Sequence, residues 1–210
     1  MDAPHALSRA GSQTRHSTPA PGADVHLLAI SGSLRAGSSN TALLTAAVRL
    51  APPRVTVALY PSVAVLPHFD PELDAPDGGR LPDQVIALRK LVGRADGLLL
   101  STPEYAHGLP GAFKNALDWL VGSVELPGKA VAVMSPTARS VHAQAQLREV
   151  LTTMSARIVE RASVVVPLAS RAMDADDIVA DQTLAVALRS ALAAIAADVR
   201  SMRRSDVRPP

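Results

Sequence analysis

Five short apolar runs, each followed by a stretch of helical spacing, constrain this chain more tightly than any single motif. The runs are Val25–Ile30, Val55–Leu59, Gly97–Leu100, Lys129–Met134 and Val164–Val166. Runs this short, apolar throughout rather than alternating, belong to strands buried on both faces. Between them, Leu43, Leu44, Ala47 and Leu50 recur at helical spacing, and so do Val85, Ile86, Leu88, Leu91 and Val92. Further helices are expected over about 112–121, 141–154 and 176–199. The order βαβαβαβαβα predicts an α/β fold. It should be a doubly wound five-stranded parallel sheet in three α/β/α layers, with right-handed crossovers. At 210 residues the chain suits one domain plus tails. We assign residues 25–200 to that domain, 1–24 to a disordered tail and 201–210 to a basic tail.

Composition narrows the function classes. Cysteine is absent, which removes disulfides, thiolate nucleophiles and cysteine-based metal sites together. Two Tyr, two Phe and one Trp leave the core to Ala, Val and Leu. The sequence pI of 9.4 invites a nucleic-acid reading. Positive and negative residues balance between 25 and 200, however, and the +2 excess lies in the last ten residues, where Arg203, Arg204 and Arg208 face Asp206. A neutral body with a short basic tail is not a nucleic-acid footprint. No apolar run approaches a membrane span and no secretory segment opens the sequence, so a cytoplasmic location is expected. The two Arg of the 1–24 segment hint at organelle targeting, which Asp2 and the lack of amphipathicity oppose. In the proline-rich 61–82 loop, Asp70, Glu72, Asp74 and Asp77 lack the glycine and terminal Glu of a calcium loop. The six His form no i, i+4 pair, and no metal ligand set is assigned. His26 and His142 read as structural.

The stretch Val25–Asn40 runs from strand through a small-residue loop into a helix N-terminus. That arrangement aims backbone N–H groups and the positive end of the helix dipole at one point, which suits a phosphate. Ser31, Ser33, Ser38, Ser39 and Asn40 add short donors, and Gly32 permits close approach. Two familiar alternatives fail. Ser38 stands where a Walker A loop needs Lys, and Leu34 stands at the second glycine of a G-x-G-x-x-G turn. A cradle for one phosphate monoester remains. In a sheet of flavodoxin-like order, the partners of this loop are the segments after strands three and four, Thr102–Gly111 and Ser135–Val141. Pro103 and Pro110 stiffen the first of these, Gly108 and Gly111 should allow close approach and unusual dihedrals, and Tyr105 brings an aromatic ring.

Gly32-Ser33-Leu34-Arg35-x-x-Ser38-x-Asn40 is followed by Pro103-Glu104-Tyr105-x-x-Gly108-x-Pro110-Gly111-x-x-Lys114-Asn115-Ala116-x-Asp118-Trp119. Together they resemble the NADPH-dependent FMN reductase family, which includes quinone, azo-dye and chromate reductases. The resemblance spans roughly residues 25–170. It implies a flavodoxin-like fold, FMN bound without a covalent link, and hydride transfer from NADPH or NADH to FMN and on to a flavin, quinone or other electron-poor acceptor. It also points to a homodimer or homotetramer. By position, Ser33, Arg35, Ser38 and Asn40 would hold the FMN phosphate, with Ser31, Gly32, Leu34 and Ser39 also in the cofactor-binding loop. Pro103, Glu104, Tyr105, Ala106, His107, Gly108 and Ser135 would line the ring. Two departures stand out: Ala106 where the family often has Asn, and Ser135-Pro136-Thr137 where a Gly-Gly pair is usual. No catalytic side chain is assigned, because in a flavoenzyme the cofactor carries the hydride chemistry. Lys114, Asn115, Asp118 and Trp119 read as helix packing or a subunit interface. The rival readings are a flavodoxin-type electron carrier without NAD(P)H oxidation and a flavin-free phosphometabolite binder. The Ser/Arg loop and neutral body fit the carrier poorly, and the binder leaves the Pro-Glu-Tyr loop without a purpose.

Overall fold

The computed structural model describes residues 25–75 and 79–206. The expected 1–24 tail, Asp77 and the last four residues lie outside them. Six strands and six α-helices follow in chain order: β1 (Val25–Ser31), α1 (Ser39–Arg49), β2 (Val55–Leu59), α2 (Asp83–Arg94), β3 (Gly97–Ser101), α3 (Gly111–Val121), β4 (Ala130–Ser135), α4 (Val141–Thr153), β5 (Arg157–Ile158), β6 (Val164–Val165), α5 (Ala175–Ala180) and α6 (Gln182–Asp206). The strands are parallel in the order β2-β1-β3-β4-β5, with β6 also beside β4. This is the five-position doubly wound sheet expected from the sequence.

Strand side chains alternate between two cores, as a period of two requires. Leu27, Ala29, Leu99, Ala130, Ala132 and Met134 face α1 and α6. Leu28, Ile30, Leu98, Leu100, Val131 and Val133 face α2, α3 and α4. The first face carries small residues, and the helix lying on it is equally small-sided, through Ala185, Ala191 and Ala196. At Gly97 an added Cβ would sit 3.2 Å from Ile195 Cδ1 and 3.0 Å from a β4 carbonyl, so glycine lets α6 settle onto the sheet.

Three details differ from the sequence reading. The fifth strand is split, because β5 lies beside Ala130–Val131 and β6 beside Met134–Ser135, with a 3₁₀ turn at Glu160–Ala162 between them. Ser163 Oγ closes the gap by accepting the Val133 N–H at 3.1 Å. The single helix expected over 176–199 is two. Asp174 caps α5 through a reciprocal capping box with Asp177, and Asp181 caps α6 by accepting the Leu184 N–H. Finally, α6 continues to Asp206, so Arg203 and Arg204 are helical rather than in a tail, and Arg203 pairs with Asp96. By length and composition Gln182–Ser205 could cross a membrane, contrary to the expectation from the sequence. Its Leu188, Leu192, Ile195 and Ala196 are instead buried against the sheet, the pattern of a core helix.

Candidate functional site

Parallel register delivers three loops to one place. Ser31 lies beside Ser101, and Leu100 beside Val133, so the segments leaving β1, β3 and β4 emerge side by side at the carboxyl edge. The chain turns to opposite sides of the sheet after β1 and β3, which opens a crevice at this switch point.

The first loop is anchored through its backbone. Gly32 N–H donates to Ser101 O at 2.8 Å. A Cβ on Gly32 would meet Thr102 Oγ1 at 2.5 Å and Phe113 Cγ at 2.7 Å, so only glycine fits this crossing. Asn40 is buried and its Oδ1 accepts from Ser101 Oγ at 2.9 Å, which ties the first turn of α1 to β3. Ser31 Oγ bonds Thr41 Oγ1 at 2.8 Å, and Ser38 caps α1 by accepting the Thr41 N–H. Ser31 and the Asn40 carbonyl oxygen therefore hold the loop in shape, while Asn40 Nδ2 has no partner among the described residues. Ser33 Oγ accepts only from Arg35 N–H and keeps its own proton to donate. Among the described residues, the N–H groups of Leu34, Ala36, Gly37 and Ser39 donate to nothing within the chain, and Arg35 has no ion pair. A cleft of about 400 Å³ runs along this loop between Arg35 and Arg171. What results is a run of unused donors flanked by two arginines, at a helix N-terminus.

The second loop stands up from the sheet and is built differently. Tyr105 and Gly108 exchange N–H···O bonds of 3.1 and 3.0 Å around Ala106 and His107, whose φ values are 48° and 58°. Positive φ at both central residues makes this a type I′ turn. The sequence reading placed the unusual dihedrals at Gly108 and Gly111; the structure places them at Ala106 and His107 instead. The Asn frequent at this position in the family tolerates the left-handed region better than Ala does. Side chains fasten the turn to α4. Glu104 Oε2 accepts the Ala143 N–H at 2.9 Å, and Gln146 Oε1 accepts the Leu109 N–H at 2.7 Å. Ser140, the residue before α4, makes no side-chain cap bond, so Glu104 fills that role from 39 positions away. Tyr105 and Leu34, one on each of the two loops, leave more than half their surface exposed.

The third loop contributes less than expected. Ser135 is buried, and its Oγ donates to Thr137 O at 2.7 Å within its own turn. It shapes the loop rather than pointing into the crevice. Sequence reasoning also missed Gln146, and it read His142 as structural with no partner. His142 stacks on His107 with centroids 4.3 Å apart, and only knowledge of which strands adjoin could have paired them. Of the α3 residues read as helix packing or a subunit interface, Asn115 and Trp119 fasten the helix to the 67–69 segment, and Lys114 and Asp118 form a half-exposed pair. Asn115 accepts from Phe69 N–H and donates to Pro67 O, Trp119 Nε1 donates to Pro67 O, and Lys114 pairs with Asp118. Asp74, from the acidic loop, pairs with Arg89 at 2.6 Å, both largely buried.

A larger cavity of about 640 Å³ opens at the opposite edge, around Asp96, Lys129 and Arg157. Burial lowers the Lys129 ammonium pKa there, with Asp96 and Glu125 pulling the other way. It lies at the amino ends of β3 and β4, away from where doubly wound sheets bind ligands, and we place the site at the carboxyl edge.

The chain as a whole is similar to known flavin-dependent reductases. Residues 25–171 match the model of the NADPH-dependent FMN reductase family. An NAD(P)H-dependent FMN reductase of Pseudomonas aeruginosa is 32% identical over 185 residues, covering 86% of this chain and 98% of the relative. A quinone reductase of Escherichia coli K12 is 31% identical over 142 residues, covering 65% of this chain and 74% of the relative. Among solved structures, a flavoenzyme NAD(P)H:(acceptor) oxidoreductase from Paracoccus denitrificans superposes with a TM-score of 0.70 at 28% identity, covering 84% of this chain and 98% of that one. With a match over most of its length and a crevice where the fold requires one, the chain belongs to the NADPH-dependent FMN reductase family.

Proposed function

We propose that the protein is an FMN-dependent NAD(P)H oxidoreductase that passes reducing equivalents to a small electron-poor acceptor, a flavin or a quinone. One observation carries this reading: four N–H groups without partners, at Leu34, Ala36, Gly37 and Ser39, lie across a strand pair from an exposed turn. The cradle fits one phosphomonoester, as in FMN, and provides no second glycine turn for the pyrophosphate of a dinucleotide flavin. When bound, FMN supplies a centre that takes a hydride from NAD(P)H and hands it on.

The remaining work falls to the chain's own groups. Ser33 Oγ, the Arg35 guanidinium and the α1 N-terminus hold the phosphate. Pro103, Tyr105 and the backbone around Gly108 orient the ring, with Glu104 and Gln146 holding them to α4. Tyr105 and Leu34 exclude water from the two flanks. Donors fixed by the fold need no reorganisation as charge builds on the ring. A homodimer or homotetramer is part of the proposal. Val65, Val121 and Val124 are exposed, the first in a turn packed on α3 and the others at the end of α3. Trp119, to which the sequence reading gave part of that surface, is fully buried and adds none. A cytoplasmic location accompanies the reading, since reduced nicotinamide cofactors are consumed there.

The test is anaerobic addition of NADPH to the purified protein. Rapid loss of the flavin's visible absorption, restored by a quinone, is the expected result. A bound flavin bleached only slowly would favour the electron carrier, and FAD bound as tightly as FMN would remove the monoester assignment.

A further inference from the structure

We propose that Glu104, His107 and His142 form a site for a divalent transition metal at the rim of the crevice. Each offers one ligand atom, and the three atoms lie within 4.8 Å of one another. Two imidazoles and a carboxylate are the donor set of open zinc and related sites, with one or more positions left for water or a vicinal-oxygen ligand. Oxygen-only cations such as Mg²⁺ and Ca²⁺ are excluded by the two nitrogens.

The ligands come from two segments that the fold brings together. His107 projects from the type I′ turn, whose two reciprocal bonds fix its backbone. His142 stands in the first turn of α4. Glu104 bridges them: Oε2 takes the Ala143 N–H, and among the described residues Oε1 has no partner. The Gln146–Leu109 bond is a second tether, so the two segments are already docked. The stacked rings, 4.3 Å apart at 19°, are face to face and must rotate about χ1 and χ2 to aim nitrogens at a shared point. Ligand atoms around a tetrahedral ion lie about 3.4 Å apart, so closure from within 4.8 Å needs up to about 1.4 Å of approach. The positive end of the α4 dipole opposes a cation, and the Glu104 carboxylate offsets it.

A metal here would clamp the ring loop to α4 and slow exchange of nicotinamide and acceptor over the flavin. That consequence rests on the flavin reading, whereas binding itself does not. The test is calorimetric titration of the full-length purified protein with Zn²⁺. Wild type should take one equivalent, and His142→Ala should weaken it at least about tenfold. His26→Ala, whose ring bonds Thr56 on the far side of β1, should bind as wild type does. Saturating Zn²⁺ should lower NADPH oxidation several-fold and reversibly with EDTA in wild type, and leave His142→Ala turnover unchanged. Undiminished one-equivalent binding by both His142→Ala and Glu104→Gln would overturn the site, as would no saturable binding by wild type. One-equivalent binding lost in His142→Ala, in protein that takes up no added FMN and shows no NADPH oxidation with it, would support the site while refuting the flavin reading.

Discussion

The two loops that meet in the crevice are held by opposite means. The phosphate loop, 31–40, is anchored through its backbone: Gly32 crosses β3 without room for a side chain, and Asn40 is bonded beneath it. The ring loop, 102–110, rises from the sheet and hangs from α4 by two side-chain acceptors, Glu104 and Gln146. A phosphate cradle must be rigid before the ligand arrives, since its donors act only when they converge. A loop over which two substrates alternate must yield, and side-chain tethers can be released one at a time.

The comparison breaks most visibly at Gly32→Ala. Forcing a Cβ against Thr102 and Phe113 should cost about 3 kcal/mol, a fall of roughly 10 °C in melting temperature. A melt within a degree or two of wild type would show that the crossing is looser than described. Next comes Ser38→Asp, which keeps a helix cap but puts a carboxylate beside the phosphate. Two unit charges about 4 Å apart at an effective dielectric near 20 repel by about 4 kcal/mol, and solvent should halve that. FMN affinity should fall about thirtyfold while riboflavin, which lacks the phosphate, is unaffected. Equal losses for both ligands would place the phosphate elsewhere.

Glu104→Ala sharpens the contrast on the other side. Losing the bond to Ala143 N–H should cost about 1.5 kcal/mol and speed amide exchange across 104–109, with 33–39 unchanged. Exchange rising equally in both loops would mean that they form one unit. The smallest effect is a gain. Ala106→Asn relieves a left-handed residue and should stabilise the protein by about 0.5 to 1 kcal/mol, read from denaturant midpoints. No gain would mean that the turn relaxes out of the type I′ form in solution.

The sheet order, the layers and the position of the loop between β1 and α1 were legible because strand burial and helix spacing are local signals. Gly32 was legible too, as a glycine between strand and helix. The role of Glu104 was not, since its partner is a backbone N–H on α4 and no side-chain pattern marks it. The inward bond of Ser135 was hidden for a related reason. A polar residue in a loop can face a ligand or the scaffold, and the tie from Asn40 Oδ1 to the scaffold follows only from the register of β1 on β3. The left-handed pair at Ala106 and His107 escaped because neither residue type marks such a turn, whereas Gly108 beside them does and was given the credit. The split of the fifth strand hides in a run whose first half, Arg157–Ile158, is too short to register.

That split has a bearing on how copies of the molecule can approach one another. A continuous outer strand offers a row of unpaired N–H and C=O groups on which a second sheet can extend. Here the outer position beside β4 is two dipeptides separated by a helical turn, with Ser163 occupying the break. No foreign strand can run along it in register for more than two residues before meeting that bulge. Growth of the sheet into a fibril is blocked on this flank by geometry alone, without a proline.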